Sequence, residues 1–91
     1  MLRALVFVSR WCPYCRHFER IVAKLRIKFP EITFELVDIE RNPELAKKFE
    51  IEMLPTTIIL NGDDAIGGIM GFVDERTAEK SLRDQLKNSR K

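Results

Sequence analysis

Two cysteines stand three positions apart in "SRWCPYCRHF" (residues 9–18), and the chain of 91 residues holds no others. That spacing serves three ends: a dithiol that closes into a disulfide and reopens, half of a metal site, or two buried thiols without chemistry. On a helix, residues i and i+3 are neighbours with Cβ atoms ~5–6 Å apart. A disulfide wants about 3.5–4.5 Å, so small adjustments within a first helical turn close the bond. The flanking residues narrow the choice. Trp11 precedes the pair, Pro13 and Tyr14 fill its middle, Arg10, Arg16 and His17 bring positive charge, and the nearest acid in sequence is Glu19.

The elements around the pair decide which sulfur does what. "LRALVFVS" (2–9) is a continuous apolar, β-branched run, as in a strand buried on both faces. Pro13 suits a first helical turn, where its missing N–H has no partner to lose. Phe18, Val22, Leu25 and Phe29 then recur at helical spacing, so 13–28 reads as an amphipathic helix that Pro30 ends. Cys12 therefore falls where strand gives way to helix. Free N–H groups and the positive end of the macrodipole favour a thiolate there, with Arg10 and Arg16 as further thiolate-stabilising groups. Cys12 at the exposed tip is the attacking sulfur, and Cys15, turned inward, resolves the mixed disulfide. Pro13 stiffens the loop, while Trp11 and Tyr14 offer a contact surface at the rim.

Further along, "ITFELVDI" (32–39) alternates as a second strand, and "NPELAKKF" (42–49) reads as a short helix with Asn42 as N-cap. "PTTIIL" (55–60) is a third strand and "NGDD" (61–64) a hairpin turn. A fourth strand follows over about 65–72, interrupted by Gly67, Gly68 and Gly71. Asp74 caps a last helix, 75–88, whose Ala78, Leu82 and Leu86 face the core. Met53 and Met70 are expected as core or rim filler. The first βαβ unit must cross over right-handed with parallel strands, which sends the hairpin to the other side of strand one. The expected architecture is α/β, a four-stranded mixed sheet with helices on both faces.

Length and composition point to one domain over 1–91, with 45% apolar residues to build its core. Net charge is only +2, from 16 basic and 14 acidic side chains, and the cationic clusters "RIK" (26–28) and "SRK" (89–91) are short. No basic stripe interleaved with aromatics is present, so no nucleic-acid partner is expected. The apolar run Ala4–Val8 is too short for a signal peptide or a membrane span. A cytoplasmic monomer with no membrane partner is the expectation, and in that compartment a close cysteine pair is catalytic or metal-binding rather than a structural staple. For a metal, Cys12, Cys15 and His17 supply three soft ligands where a closed zinc site takes four. The haem-attachment pattern is absent because Arg16 follows Cys15.

With "WCPYC" opening a helix, then "DIERNPELAKKFEIEMLPTTIILNGD", the chain resembles the thioredoxin superfamily across nearly its whole length. Its Cys-Pro-Tyr-Cys tetrad is similar to that of glutaredoxins, its middle to thioredoxin, and its size to compact thioredoxin/glutaredoxin-like proteins. The resemblance implies a cis Leu54–Pro55 bond against the cysteines, and a substrate groove formed by Leu54, Pro55, Gly71 and Phe72. It implies a dithiol–disulfide oxidoreductase without a cofactor of its own, acting on disulfide-containing protein substrates. Electrons would come from a flavoprotein thioredoxin reductase or, in the alternative of a glutaredoxin, from glutathione. A metal or iron–sulfur module on Cys12 and Cys15 is the alternative of another class. Two departures stand out. The buried acid that thioredoxins carry six residues before the first cysteine is Val6 here, and its lysine partner is Leu36. The glutaredoxin "TVP" is "MLP", and Gly67–Gly68 comes too early before Asp74 for the glutathione-holding pattern.

Overall fold

The first strand is apolar on both sides because both sides are covered. In a computed structural model that describes residues 1–89, β1 (Leu2–Val8) buries every side chain from Ala4 to Val8. Arg90 and Lys91, and with them the end of the "SRK" cluster, lie outside the described residues. On one side of β1 runs β2 (Ile32–Asp38), parallel, with Leu2 opposite Ile32 and Val8 opposite Asp38. On the other side β3 (Thr56–Asn61) pairs antiparallel with β1, and β4 (Asp64–Met70) forms the outer edge. The sheet order is β2-β1-β3-β4, the mixed four-stranded arrangement expected from the sequence.

Helices α1 (Pro13–Lys28) and α3 (Glu75–Ser89) share one face of the sheet. Phe18, Val22 and Leu25 of α1 and Ala78, Leu82 and Leu86 of α3 meet Ala4, Val6 and Val8 there. Each large side chain buried this way contributes about 1.5–3 kcal/mol before entropy is counted. Ion pairs lace the two helices outside: Lys24 and Lys28 reach Glu75, and Lys28 also reaches Glu79. The opposite face carries a smaller core of Leu5, Phe7, Val37 and Leu60, covered by α2 (Pro43–Lys48). Beyond α2, a two-point Arg3–Glu35 pair links the strands, with Nε–Oε2 at 2.7 Å and Nη2–Oε1 at 3.3 Å.

Three local expectations need correction. Asn42 occupies the N-cap position of α2, yet its side chain does not cap: Nδ2 donates to the Asp38 carbonyl at 3.2 Å instead. That carbonyl also takes the Asn42 N–H, so the turn leaving β2 claims the residue first. Gly67 and Gly68 do not interrupt the fourth strand; they pair with Ile59 and Ile58 inside it. The irregularity is a bulge at Ile59/Leu60 that leaves Ile66 unopposed. The glycines serve close approach, since a Cβ on Gly68 would run into the Thr57 carbonyl and one on Gly67 into the end of Gln85. Finally, Met53 and Met70 are exposed, which corrects only the core half of the core-or-rim expectation for them.

Candidate active site at the start of the first helix

Cys12 is itself the N-cap of α1. Its backbone is extended (φ −100°, ψ 109°), and its Sγ accepts the Cys15 N–H at 3.2 Å. Sulfur thus takes the place that a serine or aspartate oxygen normally holds at a helix start. A thiolate is the better acceptor for that N–H, and the first turn of α1 contains no acid to oppose it. The approach to the helix is pinned by Ser9, whose carbonyl accepts the Cys12 N–H at 3.1 Å and whose Oγ accepts the Trp11 N–H at 3.3 Å. Pro13 follows in the first turn, as expected.

The two sulfurs differ in the way the sequence suggested. Cys12 is partly exposed, whereas Cys15 is fully buried in the core against the sheet. Burial, reinforced by hydrogen bonding to Cys12, pushes the Cys15 thiol up to about 12. The opposite wall is the cis Leu54–Pro55 peptide, and the Leu54 carbonyl lies 3.8 Å from Cys12 Sγ. The loop in front of it is tied by Thr56 Oγ1, which donates to the Met53 carbonyl at 2.7 Å. Gly71 follows β4 with φ +75°, and the Met53 sulfur lies 3.2 Å from where a Cβ would stand. Phe72 completes the floor, in ring contact with Tyr14, His17 and Phe18 at 5.8, 5.1 and 6.1 Å between centroids.

Leu54, Pro55, Gly71 and Phe72 therefore gather with Cys12, Cys15 and Tyr14. Trp11 and Tyr14 are 76% and 64% exposed, which leaves much of each ring accessible to a partner. Arg10 finds its partners elsewhere. Arg10 lies over the Trp11 ring at 5.6 Å and pairs with Glu40 at 3.8 Å. Among the described residues, the hydrogen-bond partners of Cys12 Sγ are the Cys15 N–H and the Leu54 carbonyl, not Arg10 or Arg16. His17 is exposed as anticipated, but its ring sits edge-on against Phe72. Among the described residues, no three His, Cys, Asp or Glu side chains converge as a ligand set. Sequence reasoning passed over Ser9 and Thr56. The serine before the pair was the one legible sign, because serine habitually bonds nearby backbone groups.

A family model described as Thioredoxin matches residues 3–87. This chain belongs to the thioredoxin family. Thioredoxin H5 of Oryza sativa subsp. japonica is 33% identical over 76 residues, covering 84% of this chain and 56% of the relative. The mitochondrial thioredoxin-3 of Saccharomyces cerevisiae is 28% identical over 78 residues, covering 86% and 61%. The crystal structure of thioredoxin from Trypanosoma brucei brucei superposes with a TM-score of 0.86 at 31% identity, covering 96% of this chain and 76% of that one. This thioredoxin-family chain spans between 54% and 65% of the length of such sequence relatives. Among the described residues no helix is long and apolar enough to cross a membrane.

Two concavities lie outside the space between Cys12 and the Leu54–Pro55 peptide. One of about 470 Å³, lined by Lys28, Phe29, Arg83 and Leu86, lies at the far end of α1 from the cysteines. The other, about 140 Å³, runs from Phe49 past Met53 to Ile58 and Met70, behind the cis-proline loop.

Proposed function

We propose that the chain is a protein dithiol–disulfide oxidoreductase of the small thioredoxin kind, a single cytoplasmic domain acting as a monomer on disulfide-containing proteins. The observation that carries the reading is the pairing of a partly exposed Cys12 at a helix N-cap with a fully buried Cys15 one turn on. The Cys12 thiolate attacks one sulfur of the substrate disulfide, that S–S bond breaks, and half of the substrate leaves as a thiolate. Cys15 then loses its proton and bonds to Cys12, and the second substrate thiolate departs. The substrate gains two electrons and the pair becomes a disulfide, which a flavoprotein thioredoxin reductase reopens. Leu54, Pro55, Gly71 and Phe72 line the groove for an extended substrate segment, with Trp11 and Tyr14 at its edges. Membership of the thioredoxin family supports a reductase rather than glutathione as electron source, despite the glutaredoxin-like Pro13–Tyr14 between the cysteines.

Insulin reduction tests the reading in two steps. With dithiothreitol as donor, Cys12→Ser abolishes turnover, while retained turnover would overturn the assignment of Cys12. With NADPH, turnover is expected with a thioredoxin reductase and not with glutathione plus glutathione reductase. The reverse pattern would make the chain a glutaredoxin.

A further inference from the structure

The buried cysteine has to surrender a proton inside an apolar core. The side chains from the sheet and α3 that share its core are apolar, Val6, Val8, Ile59, Ile69, Ala78 and Leu82 among them. The titratable groups near it lie on α1: Cys12 one turn back, and Glu19 one turn on, whose negative charge opposes a second one. His17 faces Phe72 from the exposed side of α1. Asp38, level with Val8 at the end of β2, directs Oδ1 to the Glu40 N–H. None of these stands on the sheet beneath Cys15.

Thr57 does stand on that sheet face. It is opposite Val6 in the β1–β3 pairing and opposite Ile69 in the β3–β4 pairing. Directly paired antiparallel residues project to the same face, so Thr57 shares the side that carries Cys15. It lies two residues beyond Pro55, at the end of the sheet where Leu54 meets Cys12. The residue is 2% exposed, and its Oγ1 has no hydrogen-bond partner among the described residues. A buried hydroxyl with an unused donor is uncommon, because the desolvation cost is not returned. A valine of the same shape would fill the space between Val6 and Ile69 without that cost.

We propose that the Thr57 hydroxyl is the positioning group for the resolving step, donating a hydrogen bond, directly or through one water, to the Cys15 sulfur as its proton leaves. The inference rests on the reading of Cys12 and Cys15 as a redox pair. In the step, the Cys15 proton passes to solvent, the Cys15–Cys12 bond forms, and the bond from Cys12 to the substrate sulfur breaks. The departing sulfur keeps the electron pair and takes a proton from solvent. Thr57 neither gains nor loses a proton overall. It adds to the Ser9 backbone hydrogen bond in lowering the cost of negative charge on a buried sulfur beneath which Val6 supplies no polar group.

A chromogenic aromatic disulfide, dithiobis-nitrobenzoate, reads both steps in stopped flow, since attack by Cys12 releases one coloured thiolate and attack by Cys15 a second. In Thr57→Val the first release keeps the wild-type rate. The second is expected to slow about tenfold at neutral pH, its midpoint moving up by about one pH unit, because rate follows thiolate fraction. Thr57→Ser restores both, and the Tm of Thr57→Val equals or exceeds that of the wild type. A Thr57→Val protein whose second release matches the wild type at every pH overturns the role of Thr57 alone. A wild-type protein that releases only one thiolate overturns the redox pair, and this inference with it.

Discussion

Cys12 and Cys15 are the same residue type with different surroundings, and burial accounts for most of the difference. Cys15 has no exposed surface, and its thiol is held up to about 12, first by desolvation and then by its hydrogen bond with Cys12. A thiol held that high stays protonated in the folded protein over a range where the unfolded chain has already ionised. The unfolded state then binds fewer protons than the native state, so stability falls as pH rises. The contribution is intact below the ordinary thiol value of 9.0 and is lost between there and about 12. Urea unfolding of the reduced protein and of Cys15→Ser, compared at about pH 8 and about pH 10, isolates it. The wild type should lose about 1.4 kcal/mol relative to the variant across that interval. Equal slopes would mean that Cys15 ionises in the folded state much as it does in the unfolded chain.

At the scale of elements, chain ends and caps decide where each helix sits. The Asp74 Oδ1 accepts the Thr77 N–H at 2.8 Å, and the Asp74 carbonyl takes the Ala78 N–H at 2.9 Å, which starts α3. A hydrogen bond from the Thr77 side chain, joined by the one from its backbone N–H, holds the Asp74 carboxyl below its ordinary value, so its stabilisation is present above the usual aspartate range and is lost as pH falls through that lowered value. Asp74→Ala should lower Tm by a few degrees at neutral pH and leave it unchanged near pH 2; an equal deficit at both would mean lost packing rather than a lost cap. Caps and prolines are also why so much was legible beforehand. Pro13 and Pro30 bracket α1, and its expected span of 13–28 coincides with the observed Pro13–Lys28. The cysteine pair and the hairpin order followed from local signals of the same kind, whereas the Leu54–Pro55 wall came only from the family resemblance. What stayed hidden depends on contacts between elements. The glycines of β4 read as breaks because a sequence does not display the Thr57 carbonyl and Gln85 packed against them. Asn42 is the exception, since its competing partner, the Asp38 carbonyl, is only four residues back and the residue types alone do not show which bond prevails. Thr57 read as one more β-branched strand residue, since nothing local reveals that its hydroxyl would be buried without a partner.

The whole molecule is built unequally about its sheet, and the candidate active site lies across that inequality. One wall, α1, is anchored by Cys15, Phe18, Val22 and Leu25 in the larger core and by ion pairs to α3. The other wall, the Met53–Pro55 loop, hangs from α2, a helix of six residues of which none is buried. Leu45 and Ala46 only lean on the smaller core, and Glu50 after the helix takes a left-handed φ of 51°, a conformation that disfavours side-chain-bearing residues. Local opening follows buried apolar contact, so α2 should open in excursions that leave the sheet intact. Native-state hydrogen exchange reads this directly. The Ala46, Phe49 and Ile51 amides, bonded to Asn42, Leu45 and Ala46 carbonyls, should exchange ~100-fold faster than Leu5 and Phe7 in the central strand. Denaturant should speed the sheet amides with a steep dependence and the α2 amides with a shallow one, since opening α2 exposes little surface. If both sets converge on one rate and one slope, α2 unfolds only with the whole protein and the two walls are equally stiff. If they separate, the groove beside Cys12 has a fixed side that carries the sulfurs and a yielding side that can move to fit the proposed substrate chain.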